Sequence, residues 1–172
     1  QAISITDHEF LSEVENTNLI EIIPGVEMSV SWYDLELENP FAGIHLLIYF
    51  LKKDTPIYEL LSKIRIEKKN RNYEILEKLK KVGVEIERKE LDDLETKVPG
   101  RPHIANLMKS KGYVASLNEA FKEYLGNGKV GDSRIHQNPI EEVIDCAKES
   151  KCLVFLAHPH TLMSNKDYSF SK

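Results

Sequence analysis

Residues 44–50 read Ile-His-Leu-Leu-Ile-Tyr-Phe, and this stretch sets the class of the fold. It is too short for a helix, and its branched and aromatic residues are typical of a buried strand. The run Cys152–Ala157 predicts a second buried strand, which follows a predicted helix that starts at Asn138–Pro139. Shorter β-type runs occur at Ala2–Thr6 and Leu19–Ile23. Strands that alternate with helices favour a parallel α/β sheet or barrel, in which functional residues gather where the strands end.

The middle of the chain has a helical pattern instead. Thr55 is a candidate N-cap and Pro56 fits the first helical position, so one long helix or two successive helices begin here. A shorter helix is predicted from about Pro102 to Lys111. Ser116 with a glutamate three residues later is a capping box for the next helix. We therefore interpret residues 55–128 as a helical insertion, and residues 1–54 and 129–172 as parts of one α/β domain.

Composition limits the classes of partner. The chain has 172 residues, 41% of them hydrophobic, which supports a folded domain with a sizeable core. Its net charge of −5 argues against coating a nucleic-acid backbone or a stable duplex partner, whereas a small phosphorylated substrate is compatible. The longest apolar runs fall far short of the ~20 residues of a membrane span. Two cysteines in no close pair give no disulfide framework, so a cytoplasmic location is the default expectation.

A basic run marks one stretch of the predicted long helix. A solvated helix face is favoured over a track for phosphate groups. The run consists of Lys63, Arg65, Lys68, Lys69 and Arg71.

Asp7–His8, Glu27, His45 and His158 each lie within or beside a short apolar run. One histidine beside a core strand is more often a structural residue than a ligand. Four such sites together change that balance, because buried ionisable groups are unfavourable unless they are paired. Imidazoles and a carboxylate that converge on a divalent metal satisfy all of them at once.

Five strings occur in an order that resembles the PHP (polymerase and histidinol phosphatase) superfamily of metal-dependent phosphoesterases. The branch with the greatest resemblance hydrolyses nucleoside 3′,5′-bisphosphates and trims short RNA from the 5′ end. The resemblance implies a distorted (β/α)7 TIM-like barrel, incomplete here, with a helical insertion that carries Gly-Arg-Pro-His. It also implies two or three divalent metal ions, manganese foremost, with iron or zinc as alternatives. The strings are Ile3–His8, Ile23–Glu27, Ile44–Phe50, Gly100–Ala105 and Leu156–Pro159.

The resemblance also implies roles for single residues. The predicted metal ligands are His8, Glu27, His45 and His158, with Glu27 able to bridge two ions. Asp7 is expected to orient His8. In the insertion, Arg101 is expected to grip a substrate phosphate, and His103 to hold that phosphate or to protonate the leaving oxygen. The implied reaction is hydrolysis of a phosphomonoester by metal-activated water, on a phosphorylated nucleotide or short oligonucleotide.

The chain departs from the family at both ends. The His-x-His pair of the opening strand and the Asp-x-His pair near the C-terminus are absent, so we interpret the chain as an internal fragment of an enzyme. Alternatives are a non-catalytic phosphate-binding or interaction domain, and a PHP domain associated with a polymerase. Among the other histidines, His136 fits a surface loop, whereas His160 could line the site. Packing explains Trp32 and Tyr33, with base stacking as an alternative.

Overall fold

The computed structural model describes residues 1–34, 39–133 and 138–160, with the backbone alone for 32–34 and 39–43. The chain divides into two compact units. Unit 1 comprises Gln1–Lys63 with Gln137–Lys172, and unit 2 comprises Ile64–His136. This division is based on packing within the chain. The assignment of residues 1–54 and 129–172 to a barrel, and of residues 55–128 to an insertion, stays a prediction.

Unit 1 contains two small sheets. Strands β1 (Ala2–Ile3) and β2 (Glu21–Ile22) pair in parallel. A three-stranded sheet has the order β3-β4-β5, with β3 at Gly25–Asp34, β4 at Asn39–Tyr49 and β5 at Leu153–Leu156. Both strand pairs of this second sheet are antiparallel.

The expectation of a parallel sheet is therefore wrong for β3, β4 and β5. Only four residues of sequence separate β3 from β4, and a parallel connection needs a crossover of a dozen or more residues. The predicted α/β class holds, since strands and helices are mixed, but no sheet closes into a barrel among the described residues.

The predicted burial of the Cys152–Ala157 strand is also wrong for most of its side chains. β5 is an edge strand of the described sheet, and three of its four side chains remain about half exposed, with 52% for Leu153, 53% for Phe155 and 44% for Leu156. Apolar composition identified a strand here, but burial depends on what packs against it.

The alternation of β3 and β4 separates a core face from a polar face. The core face is formed by Val26, Met28, Val30, Ile44, Leu46 and Ile48, all buried. Helix α5 (Ile140–Glu149) contacts β3 and β5 and buries Val143 and Ala147, as its apolar spacing predicts. Because successive side chains of a strand point to opposite faces, Glu27 and His45 share the face away from this core.

Helix α1 (Pro56–Lys80) is one continuous helix, which decides between the two predicted options. The amides of Tyr58 and Glu59 donate to the Thr55 carbonyl, so the helix begins where the sequence indicated. No helix of the described residues is long and apolar enough to cross a membrane.

Unit 2 is helical. It contains α2 (Arg88–Asp92), α3 (Arg101–Ser110), α4 (Leu117–Ala120) and a π-helix at Phe121–Leu125. The predicted helix at Pro102–Lys111 is confirmed as α3. The hydroxyl of Ser116 accepts the Glu119 amide 3.1 Å away, which confirms the predicted cap. The buried core is formed by residues of α1, the α2 region, α3 and the π-helix, among them Ile75, Leu79, Leu91, Ile104, Met108 and Leu125.

Candidate metal centre

The register of β3 with β4 brings Glu27 and His45 together. His45 lies opposite Ser29, and Glu27 lies opposite Leu47, so the two side chains are diagonal neighbours on one face. The Nδ1 atom of His45 is 2.8 Å from Oε1 of Glu27. Both side chains are mostly buried, with exposed fractions of 23% for His45 and 15% for Glu27.

The segment around His8 runs alongside β3 in the parallel direction. The Glu27 amide donates to the Asp7 carbonyl at 3.1 Å, and the Glu9 amide donates to the Glu27 carbonyl at 2.9 Å. These two backbone hydrogen bonds place the His8 imidazole beside the carboxylate, with its Nε2 atom 3.8 Å from Oε1 of Glu27. His8 is more exposed than the other residues of the cluster.

His158 reaches the same carboxylate from the end of β5. The Ala157 amide donates to the His45 carbonyl at 2.9 Å, which extends the β4–β5 ladder by one step. The Nε2 atom of His158 then lies 2.9 Å from Oε1 of Glu27 and 3.0 Å from Nδ1 of His45. His158 has a φ of 31°, in the region that favours glycine, and such backbone is held in place only by its surroundings.

The cluster sets the protonation of its members. Burial alone would raise the pKa of Glu27, but hydrogen bonds from His158 and His45 and the charge of His8 together lower it. Burial lowers the pKa of His45, against the opposing effect of the Glu27 hydrogen bond. At neutral pH the carboxylate is therefore ionised and His45 is a neutral imidazole, which are the forms that bind a metal ion.

The donor set fits a divalent metal. Ligand atoms of His8, Glu27 and His45 all lie within 4.8 Å of one another. The other triplet is tighter, with the Glu27, His45 and His158 atoms separated by 2.8, 2.9 and 3.0 Å. Bonds of about 2.0–2.2 Å to one ion place neighbouring ligand atoms roughly 3 Å or slightly more apart, so this spacing needs little adjustment. Imidazole with carboxylate suits zinc, iron and manganese.

Two curated proteins are similar to this chain in sequence. A 5′-3′ exoribonuclease of Haemophilus influenzae is 26% identical over 164 residues, which cover 91% of this chain and 57% of the relative. A 5′-3′ exoribonuclease of Escherichia coli K12 is 28% identical over 174 residues, which cover 91% of this chain and 55% of the relative. Their names match the trimming of RNA from the 5′ end that the resemblance of the five strings implies. The resemblance to the PHP phosphoesterases is confirmed. No family model matches the chain.

Two solved structures have a similar fold. One is an amidohydrolase from Chromobacterium violaceum with bound sulfate and no metal, at a TM-score of 0.67 and 20% identity, which covers 96% of this chain and 61% of that one. The other is described as a metal-dependent phosphoesterase from Bifidobacterium adolescentis, at a TM-score of 0.67 and 18% identity, which covers 91% of this chain and 56% of that one. The chain thus spans a little over half the length of the two curated relatives.

The remaining predicted residues of unit 1 have plainer surroundings. The Asp7 carboxylate accepts a hydrogen bond from the Ser12 hydroxyl, and its predicted role in orienting His8 stays a prediction. His160 is exposed. His136 and the side chains of Trp32 and Tyr33 lie outside the described residues.

Arg101 and His103 lie in the first turn of α3, in unit 2. The Nδ1 atom of His103 accepts the Gly100 amide at 3.0 Å, so in the neutral ring the proton is on Nε2. Arg101 donates from Nη1 to the Leu125 carbonyl at 3.3 Å. Both side chains are partly exposed. They therefore present N–H donors at a helix N-terminus, a place that favours anions.

Sequence reasoning missed Glu9. Its side chain is 1% exposed, next to the candidate ligand His8, and its backbone has a φ of 52°. The residue follows Asp-His in a polar stretch, and no periodic pattern there predicts burial. The carboxylate is buried because the parallel bridge to β3 and the left-handed backbone together turn the chain at this point.

Proposed function

We propose that the chain is part of an enzyme that hydrolyses phosphomonoesters of nucleotides by metal-activated water. The substrates are nucleoside 3′,5′-bisphosphates and the 5′ ends of short RNA. The observation that carries this proposal is the approach of three imidazoles to one oxygen of Glu27. The relatives named as 5′-3′ exoribonucleases support a nucleotide or RNA substrate over other phosphate esters.

The proposed ligands are His8, Glu27, His45 and His158, which hold two or three divalent ions, with manganese first and iron or zinc as alternatives. A divalent ion at such a site lowers the pKa of bound water to about 7 and neutralises charge on phosphoryl oxygens. Glu27 contributes the negative charge of the cluster, and its lowered pKa keeps that charge in place at neutral pH. The neutral His45 ring leaves a lone pair for the ion.

In unit 2, Arg101 and His103 are proposed to bind substrate. The planar guanidinium of Arg101 can donate two parallel hydrogen bonds to phosphate oxygens. His103 offers Nε2–H, because the Gly100 amide occupies Nδ1. This tautomer suits either donation to a phosphate oxygen or protonation of the leaving oxygen, and kinetics of a His103→Gln variant separate the two roles. An effect on KM indicates binding, and an effect on kcat indicates proton transfer.

Phosphate release from adenosine 3′,5′-bisphosphate by the full-length protein tests the proposal. We expect release that needs manganese, stops with a chelator, and falls by a hundredfold or more, as an order of magnitude, in Glu27→Gln. Glu21→Gln is the matched control, since Glu21 is an exposed carboxylate of the same unit, on β2.

A folded, metal-loaded protein that releases no phosphate would contradict the proposal and favour a non-catalytic phosphate-binding domain. If phosphate release is unchanged in Glu27→Gln, the histidine cluster does not take part in the reaction. Activity that depends on an attached polymerase would favour the polymerase-associated alternative.

A further inference from the structure

The polar face of the β3–β4 pair carries a hydroxyl beside the candidate metal ligands. The register of the two strands is regular up to Val30 and shifts between Val30 and Ser31. Within the regular part, Met28 and Val30 are both fully buried on the core face. Ser29 lies between them in sequence, so its side chain points to the opposite face, which it shares with Glu27.

Ser29 lies close to these ligands. It is directly opposite His45, and such cross-strand pairs have Cβ atoms about 4.5–5.5 Å apart. Glu27 precedes Ser29 by two residues on the same strand, which places the two Cα atoms roughly 7 Å apart. The hydrogen bond from the Ala157 amide to the His45 carbonyl brings His158 next to the same row of the sheet. The Ser29 side chain therefore borders the candidate metal centre.

The hydroxyl of Ser29 is available to a ligand. The side chain is only partly buried, and within the part of the chain that the structure describes its hydroxyl forms no hydrogen bond. The next serine of β3 is already engaged, because the Ser31 hydroxyl donates to the Asn138 carbonyl at 3.4 Å. A hydroxyl provides one O–H donor and rotates to suit its acceptor. Of these two serines, Ser29 is therefore the one that can donate to a bound molecule.

The candidate ligands themselves do not provide this donor. A carboxylate such as Glu27 only accepts hydrogen bonds, and an imidazole that binds a metal ion directs a lone pair at the ion, not an N–H group. A divalent ion neutralises charge on phosphoryl oxygens, but an oxygen that does not reach the ion needs another donor. Leu47, which follows His45 on this face, has no polar group in its side chain. The hydroxyl of Ser29 fits this need.

We infer that the Ser29 hydroxyl donates a hydrogen bond to an oxygen of the phosphoryl group that binds at the metal centre. This inference rests on the proposed function for the identity of the ligand, a phosphate ester of a nucleotide. Ser29 is a substrate contact in this arrangement and does not ligate the metal. Its loss therefore weakens phosphate binding and slows the reaction, while metal affinity is retained.

The test uses the full-length protein loaded with manganese. Isothermal titration with inorganic phosphate measures binding without any reaction, and titration with manganese measures metal affinity. We expect Ser29→Ala to weaken phosphate binding about tenfold or more, the effect of losing a hydrogen bond to a charged group, and to leave manganese affinity unchanged. The kcat/KM for adenosine 3′,5′-bisphosphate should fall by a similar factor. Ser62→Ala is the matched control, since Ser62 lies on α1 in the same unit and its hydroxyl donates to the Tyr58 carbonyl at 2.9 Å.

The isosteric pair Ser29→Thr and Ser29→Val isolates the hydroxyl. Both variants introduce a β-branched side chain that suits a strand, and only threonine keeps the O–H donor. We expect Ser29→Thr to bind phosphate more tightly than Ser29→Val, and this pair decides if Ser29→Ala does not fold by circular dichroism. Equal phosphate affinity in the two variants, or in wild type and a folded Ser29→Ala, would overturn the inference. A loss of manganese affinity in Ser29→Ala as large as the loss of phosphate affinity would overturn it too, because Ser29 would then support the metal ligands.

Failure of the proposed function is distinguishable from failure of the inference. If Ser29→Ala weakens phosphate binding but even the wild type releases no phosphate from the bisphosphate, the inference stands and the proposed hydrolysis fails. If the wild type hydrolyses the bisphosphate and Ser29→Ala equals it in phosphate affinity, the proposed function stands and the inference fails. A wild-type protein that binds manganese but no phosphate would also overturn the inference.

Discussion

Two groups of charged side chains in the molecule have opposite preferences for a ligand. The histidine cluster of unit 1 consists of His8, Glu27, His45 and His158, and what we call the cation cluster of unit 2 consists of Lys68, Arg71 and Arg101. In unit 1, the Glu27 carboxylate lies within 3.8 Å of three imidazoles. In unit 2, Arg71 and Arg101 have no carboxylate partner among the described residues. Imidazole and carboxylate donors suit a cation, whereas guanidinium N–H groups suit an anion.

The two clusters also differ in how the backbone places them. Strand ladders hold His8, Glu27, His45 and His158, since each sits one residue from a backbone hydrogen bond to β3 or β4 or within those strands. Side-chain and carbonyl contacts hold the cations of unit 2, through Asn72 and through the Leu125 carbonyl. We therefore expect substitutions in the histidine cluster to weaken metal binding alone, and substitutions in unit 2 to weaken phosphate binding alone.

The largest effect is expected for His45→Ala. His45 contacts both Glu27 and His158. Its removal therefore deletes one proposed metal ligand and also removes a contact that helps to position each of the other two. Metal affinity, measured by titration with manganese or zinc, should fall by about a hundredfold or more, since even residues behind metal ligands contribute about 10- to 100-fold. His160→Ala is the control, because His160 is exposed two residues past His158. Phosphate affinity in chelator should stay unchanged, and a parallel loss of both would refute the separation.

Much of the histidine cluster could be predicted from sequence because strand patterns placed its residues. His45 lies in a predicted strand and His158 directly follows one, so strand patterns located both without tertiary information. The sequence pattern instead places Glu27 after a strand and a Pro-Gly turn, whereas in the structure it lies within β3. Strand direction was not predictable in the same way. The apolar pattern of residues 44–50 is the same in either direction, and only the short connection to β3 requires the antiparallel pair.

The sequence alone does not predict which residues of the basic run are exposed and which are partly buried. Lys68 and Lys69 are adjacent and chemically identical, yet one is partly buried and the other pairs with Asp92 at the surface. Which side of α1 faces the helices of unit 2 depends on how α3 and the π-helix pack, and no local pattern contains that information. The apolar spacing of α4 continues through Phe121–Leu125 as in an ordinary α-helix. The sequence therefore does not predict that this segment is a π-helix, which has more residues per turn.

A smaller effect concerns the stability of unit 2 as pH changes. The pKa of Lys68 is lowered to about 8 in the folded chain, against about 10.4 for an unfolded lysine. Between these values the unfolded chain binds more protons, so this group makes the free energy of unfolding rise with pH and contributes its full penalty below about pH 8. Lys68→Met should flatten that rise in urea unfolding followed by circular dichroism from pH 7 to 10.

The neighbouring Lys69 supplies the control for this titration. Hydrogen bonds to Tyr73 and Asp92 raise the pKa of Lys69, so its stabilising effect is present at neutral pH and is lost as pH rises. Lys69→Met should therefore leave the rise in place or make it steeper. A Lys68→Met variant with the wild-type slope would contradict the lowered pKa of Lys68 and the burial that causes it.

The smallest effect is expected for Ser116→Ala. Ser116 caps α4, which runs directly into the π-helix whose last carbonyl accepts from Arg101. Loss of an N-cap lowers the free energy of unfolding by about 1 kcal/mol, and Ser110→Ala, an exposed serine at the end of α3, is the control with little effect. Because the π-helix positions the guanidinium of Arg101, the proposed phosphate contact, and no residue of the histidine cluster, phosphate affinity should weaken slightly while metal affinity does not change. Metal affinity that falls in step with phosphate affinity would show that the two clusters act as one.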